Sequence, residues 1–124
     1  MIQGRVNELR EAILPLVVGN ASGQRQVINA VVDTGFNGFL TLPAIVITAL
    51  GLSWTASDIV TLGDGREAIF DLYAVTVIWD GQYREIDVAE SATEPLVGMA
   101  LLQGYRLQID VVEGGIVRIE KLPL

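Results

Sequence analysis

A chain of 124 residues that is 51% hydrophobic and 19% charged reads as one domain, residues 1–124, and is too apolar for disorder; it should bury roughly two-thirds of its unfolded surface. It has neither cysteine nor histidine, which excludes a thiol nucleophile, a disulfide, a thiolate or His-ligated metal site, and a Ser-His-Asp triad. Its formal net charge of −7 argues against a phosphate-binding face, and so against nucleic acid as a partner. No apolar run reaches the ~20 residues that a membrane span needs. Arg5, Glu8, Arg10 and Glu11 precede the first apolar stretch, unlike a secretory signal. The expectation is a soluble cytoplasmic protein without a membrane partner. Acid–base chemistry at moderate pH is left to carboxylates, tyrosines and the single lysine, Lys121.

In chain order, short β-rich runs between turn signals dominate. Residues 10–18 form an apolar run that ends at Gly19-Asn20-Ala21-Ser22-Gly23, a hairpin-type loop. Asn20-Ala21-Ser22 matches a glycosylation sequon, which reads as chance without a secretory signal. Residues 26–32 make the next strand, and residues 39–43 continue as another. Pro43 and Gly51 bracket a short helix over residues 44–50, although Ile45, Val46 and Ile47 are β-branched. Asp64-Gly65 and Asp80-Gly81 predict two-residue type I′ hairpins. The first would join residues 58–62 to 66–73, the second 73–79 to 82–89, with Tyr73, Val75, Val77 and Trp79 on one face. Glu113-Gly114-Gly115 joins residues 106–112 to 116–121. Trp54 and Trp79 read as core or interface residues. The pattern predicts a mostly β protein, a small closed barrel-like sheet with one or two short helices.

One stretch carries chemistry. Val31-Val32-Asp33-Thr34-Gly35-Phe36-Asn37-Gly38 is an apolar strand that runs into Asp-Thr-Gly and a second glycine, and the triplet occurs once. A carboxylate at the end of a buried strand needs hydrogen bonds, and Gly35 can present its N–H to Asp33 with no Cβ in the way. Alone, the triplet is commonly no more than an Asx-type turn. Its context adds to it: Pro95-Leu96-Val97-Gly98-Met99-Ala100-Leu101-Leu102 follows, and then Leu107-Gln108-Ile109-Asp110.

On these residues the chain resembles the retropepsin-like aspartic proteases, most closely their small prokaryotic relatives, over about Leu14 to Asp110. The resemblance implies the small closed acid-protease barrel and an aspartic endopeptidase acting on peptide or protein substrates. It implies a homodimer in which each chain gives one catalytic Asp33, and the two carboxylates lie close and share a proton. Thr34 would bond across the two-fold axis and Gly35 would hold the loop. Val97-Gly98 and the short helix 99–102 would pack beneath it. Gly63, Asp64, Gly65 and Arg66 fall where the family has its flap, a hairpin that closes over substrate. No metal and no organic cofactor is implied. Two positions depart from the family pattern: Phe36 replaces a small or hydroxyl residue, and Asn37 a serine or threonine. The terminal strands, which build much of the dimer interface in retroviral enzymes, show no motif that aligns. The rival reading is a non-catalytic dimeric module that binds peptide or protein on the same fold. A third is a carboxylate-pair glycosidase that uses Asp33 with Asp71 or Asp110.

Overall fold

The computed structural model describes residues 1–61 and 64–124. Its strands are β1 (Ile2–Val6), β2 (Ala12–Gly19), β3 (Arg25–Val32), β4 (Leu40–Leu42), β5 (Ser53–Thr61), β6 (Glu67–Trp79), β7 (Gln82–Glu90), β8 (Leu96–Val97), β9 (Tyr105–Ile109) and β10 (Ile116–Lys121). Two short helices, α1 (Ala44–Leu50) and α2 (Met99–Leu102), interrupt them. Period-two patterning builds the core. Ala12, Leu14, Leu16 and Val18 of β2 point inward and are buried, as do Ile28 and Ala30 of β3 and Val75, Val77 and Trp79 of β6. Tyr73 packs against the same core, so the face expected for β6 is the one observed.

The strands follow the order β5-β6-β7-β4-β8-β3-β2-β1-β10-β9. A further pairing of Val18 with Val77 and Gly19 with Thr76 joins β2 to β6. That seam closes β6, β7, β4, β8, β3 and β2 into a six-stranded barrel, with β1, β10 and β9 as a flange beyond it. β3 runs parallel to β8, and β4 to β7; the other pairs are antiparallel.

The helix expected over 44–50 is α1. Gly51 ends it in the left-handed region (φ 57°), and Val46, Ile47 and Leu50 are buried, which offsets the poor propensity of its β-branched residues. Asp80 and Gly81 have φ of 53° and 78°, as a type I′ turn requires.

Four expectations need correction. The first strand, Ile2–Val6, was not expected; its main partner, β10, lies at the other end of the chain. β5 begins at Ser53, and β6 is one continuous strand of 13 residues. Thr61 pairs with Glu67 and Val60 with Ala68, a register centred on Asp64 and not between Asp64 and Gly65, so these two residues are not a two-residue turn; Leu62, expected to end the strand, lies outside the described residues. Gly65 has positive φ, at 84°. Lastly, β9 stops at Ile109: Asp110 N–H still donates to Ile116 O (3.0 Å), and Gly115 then packs so closely on Asp110 that a Cβ there would stand 1.8 Å from the Asp110 carbonyl oxygen. Asp110 therefore opens a turn and is not in a strand.

Candidate active site

Two backbone hydrogen bonds fix the end of β3. Val31 N–H donates to Pro95 O at 2.8 Å, and Asp33 N–H to Val97 O at 2.8 Å. The chain then turns sharply: Phe36 N–H donates to Asp33 O (3.1 Å) and Gly35 N–H to Asp33 Oδ1 (2.9 Å). The Asx turn that a lone Asp-Thr-Gly commonly forms is thus present. Among the described residues the Asp33 side chain accepts no further hydrogen bond, which leaves Oδ2 open. Asp33 is half-buried, while Thr34 and Gly35 are exposed on the single chain. A Cβ on Gly35 would come within 3.2 Å of Asp33 Oδ1, tighter than ordinary contact.

The loop is clamped from below. A helix begins with amides that have no partner inside it, and α2 has no side-chain cap. The loop supplies the acceptors: Met99 N–H donates to Phe36 O (2.8 Å), Ala100 N–H to Gly38 O (3.1 Å), and Gly98 N–H to Phe39 O (3.0 Å). This approach leaves no room at Gly98. A Cβ would meet Gly38 O at 2.1 Å and Phe36 Cδ2 at 2.5 Å. Leu101 and Leu102 are buried beneath, in the core.

Phe36 turns out to be part of this packing. Its half-buried ring lies on both glycines, and a Cβ on Gly38 would stand 2.5 Å from its Cζ. The apolar ring here fills a space that the loop's own glycines leave. Thr41 was not singled out from the sequence. It is the one buried polar residue among those described, and its Oγ1 accepts a hydrogen bond from Leu96 N–H at 2.9 Å. Its signal is a hydroxyl between Leu40 and Leu42 in an otherwise apolar strand. Arg84 covers the Phe39 ring, with its guanidinium carbon 5.4 Å from the centroid.

Of the residues expected at the flap, Gly63 lies outside the described residues. Asp64, Gly65 and Arg66 are exposed at the end of the β5–β6 hairpin. There Arg66 N–H donates to Asp64 Oδ1 (3.0 Å) and Arg66 Nε to Oδ2 (2.5 Å). The Arg66 amide first, and its guanidinium second, hold the Asp64 carboxyl below its usual range. At the hairpin's base Asp71 Oδ1 accepts hydrogen bonds from Trp54 Nε1 (3.1 Å) and Ser57 Oγ (3.0 Å). Trp54 is 58% exposed and so is not a core residue, whereas Trp79 is buried against Tyr105. No hydrogen bond joins Asp71 or Asp110 to Asp33 among the described residues, so nothing in the geometry favours either as a second carboxylate.

Elsewhere, Asn20 has a structural role. Its Nδ2 donates to Gln24 Oε1 and Leu50 O, while its Oδ1 accepts from the amides of Ser22 and Gln24. Among the described residues no three acidic side chains gather as a metal site would require, and no helix is long and apolar enough to cross a membrane. Concavities of about 190, 210 and 310 Å³ lie along the outside of β2, β3 and β6 and under the Asn20 turn, and none includes Asp33.

No family model matches the sequence, and no curated protein matches it. Among solved structures, the chain is similar to a retropepsin-like aspartic protease from Rickettsia conorii, with a TM-score of 0.61 and 16% identity. The match covers 98% of this chain and 90% of that one. At this identity the likeness concerns the fold. The mostly β closed barrel described above is a retropepsin-like fold.

Proposed function

We propose that this chain is a homodimeric aspartic endopeptidase in which Asp33 from each of two copies forms the catalytic pair. One observation carries the reading: an Asp-Thr-Gly turn clamped by α2 through Gly98, with one carboxylate oxygen open, inside a retropepsin-like fold. The chain has this triplet once, and the chemistry needs two carboxylates. Exposure of Thr34 and Gly35 on the isolated chain supports a partner there.

In this reading two close carboxylates share one proton. The ionised one takes a proton from a bound water as that water attacks the scissile carbonyl carbon. The protonated one gives its proton to the carbonyl oxygen. The tetrahedral intermediate then collapses: the carboxyl that took the water's proton gives it to the leaving amine as the C–N bond breaks, and the other, now ionised, takes a hydroxyl proton as the new carboxylic acid forms, which restores the shared proton. Thr34 and Gly35 hold the loop, and the hairpin that carries Asp64, Gly65 and Arg66 covers an extended peptide bound by main-chain hydrogen bonds. No metal or cofactor takes part, and a cytoplasmic location goes with this reading.

The test is cleavage of a peptide library by the purified protein and by Asp33→Asn, with and without the aspartyl inhibitor pepstatin. The amide is nearly isosteric but cannot serve as the base, so cleavage should drop by at least about 10²–10⁴-fold while fold and dimer persist. Wild-type rates in Asp33→Asn would remove Asp33 from the mechanism. A dimer that binds peptides but never cleaves them would favour the non-catalytic module.

A further inference from the structure

We infer that the second copy docks on the Asp33 end of the barrel through an apolar rim of Leu9, Met99, Val111 and Val112, and not by exchange of terminal strands. This rests on the two-fold reading above and specifies the surface that reading requires, because the site is incomplete on one chain.

The terminal strands are already engaged within the chain. β1 pairs with β10 from Ile2 to Arg5 and with β2 at Arg5 and Val6, and β10 pairs with β9 from Val117 to Lys121, so exchange of these strands would first have to break those ladders. The sheet's free edges belong to β5 and β9.

Three separate segments instead converge around the Asp33 loop. The β2–β3 register pairs Ile13 with Val31, so the turn that leads into β2 lies beside the end of β3 where Asp33 begins. Val6 N–H donates to Gly115 O (2.9 Å) and Gly114 N–H to Val6 O (2.8 Å), which ties loop 110–115 to that same turn. Met99 is joined directly to the loop through Phe36 O. These segments carry apolar side chains outward: Leu9 is 69% exposed, Val111 and Val112 each 64%, and Met99 46%. The turns at the opposite end of the barrel, Asn20 to Gln24 and Asp80-Gly81, are polar. Exposed apolar side chains also occur elsewhere, among them Val27, Ile45, Ile59 and Ile69, but Leu9, Met99, Val111 and Val112 sit on the segments that flank Asp33, the residue that needs a partner, and so mark an association surface there.

Leu9 is also held in place. Asn7 Oδ1 accepts hydrogen bonds from the amides of Leu9 (3.1 Å) and Glu11 (2.8 Å), and Asn7 Nδ2 donates to Glu11 Oε1 (2.9 Å). Arg10 sits in the left-handed region at φ 63°, which few non-glycine residues adopt unless the surroundings enforce it. A rigid turn that presents an apolar side chain loses little entropy on docking.

Analytical ultracentrifugation of Leu9→Glu and of Val112→Glu tests this, with Val27→Glu, on the outward face of β3, as control. Both rim positions are exposed, so circular dichroism should be unchanged. A charge placed in the apolar contact should raise the dimer Kd by about 30-fold or more, with specific activity falling in step, while the control leaves both unchanged. Rim variants that dimerise with wild-type affinity, or a wild-type chain that stays monomeric at every concentration, would overturn the inference. A wild-type dimer lost on rim substitution but inactive on every peptide would keep the interface and overturn the endopeptidase reading instead.

Discussion

At Gly98 the loop, the helix and the Phe36 ring meet within van der Waals distance, and any added carbon must displace backbone. Gly98→Ala should therefore destabilise the fold by about 1–3 kcal/mol and lower peptide cleavage with it, because the loop that moves carries Asp33. Thermal unfolding with a parallel activity assay checks this; an unchanged Tm would mean the backbone yields more easily than its contacts suggest. Gly35→Ala meets Asp33 Oδ1 at 3.2 Å and should cost less stability. The turn at Asp33-Thr34-Gly35 and the close approach at Gly98 were legible in the sequence because local motifs in the right order name them. Phe36 was legible only as a departure. Its partner, Gly98, is distant in sequence, and nothing local says that a ring belongs over that glycine.

Between elements, Thr41 ties β4 to β8, where the two strands share only the Leu40–Val97 pairing. Thr41→Val keeps the shape and leaves Leu96 N–H without its acceptor, which should cost about 1–3 kcal/mol. Urea unfolding should show a lower midpoint with an unchanged slope; an unaltered midpoint would mean another acceptor takes over. The same scale explains which elements the sequence revealed. α1 and the Asp80-Gly81 turn carry their instructions locally, in a proline, a glycine, and a pair of residues with positive φ. β1 does not: it is five residues with a glycine in the middle, and it becomes a strand because β10 and β2 flank it. The extent of β5 was equally hidden, since Trp54, Ser57 and Asp58 are exposed and show no alternation. Asp64-Gly65 misled for a related reason: its aspartate bonds to Arg66 inside a longer connection.

For the whole molecule there are two expectations, and the first concerns acidity. Glu11 and Glu94 interact across the surface. The Asn7 amide, and then the Glu94 carboxyl, hold Glu11 below its usual range. A hydrogen bond to Glu11, and then repulsion from its charge, raise Glu94. The raised Glu94 contributes stability below its unfolded pKa, and this is lost as pH rises through the folded value. Glu11 acts oppositely, with a contribution present above its unfolded pKa and lost as pH falls. Glu94→Gln keeps a donor facing Glu11 at every pH. It should raise Tm at pH 7 and change it little in acid, where Glu94 is already protonated; a Tm difference independent of pH would exclude the pair as its cause. The second expectation concerns dilution. If two copies share the site as proposed, specific activity should fall as the chain is diluted below the dimer Kd, since each copy would bring one carboxylate. Sedimentation and activity measured over the same concentrations should follow one curve, and a fully active monomer would end the two-copy reading.

The clamp beneath the Asp33 loop also makes the loop measurable from a distance. The amides of Gly98, Met99 and Ala100 are bound to carbonyls of Phe39, Phe36 and Gly38, so none can exchange its proton with solvent until the loop lifts from α2. Loop and helix then form one cooperative opening unit, and those three amides should share a single opening free energy. In deuterium they form a three-point reporter of the order of the Asp33 loop that needs no bound ligand. A ligand bound at Asp33 should slow all three together.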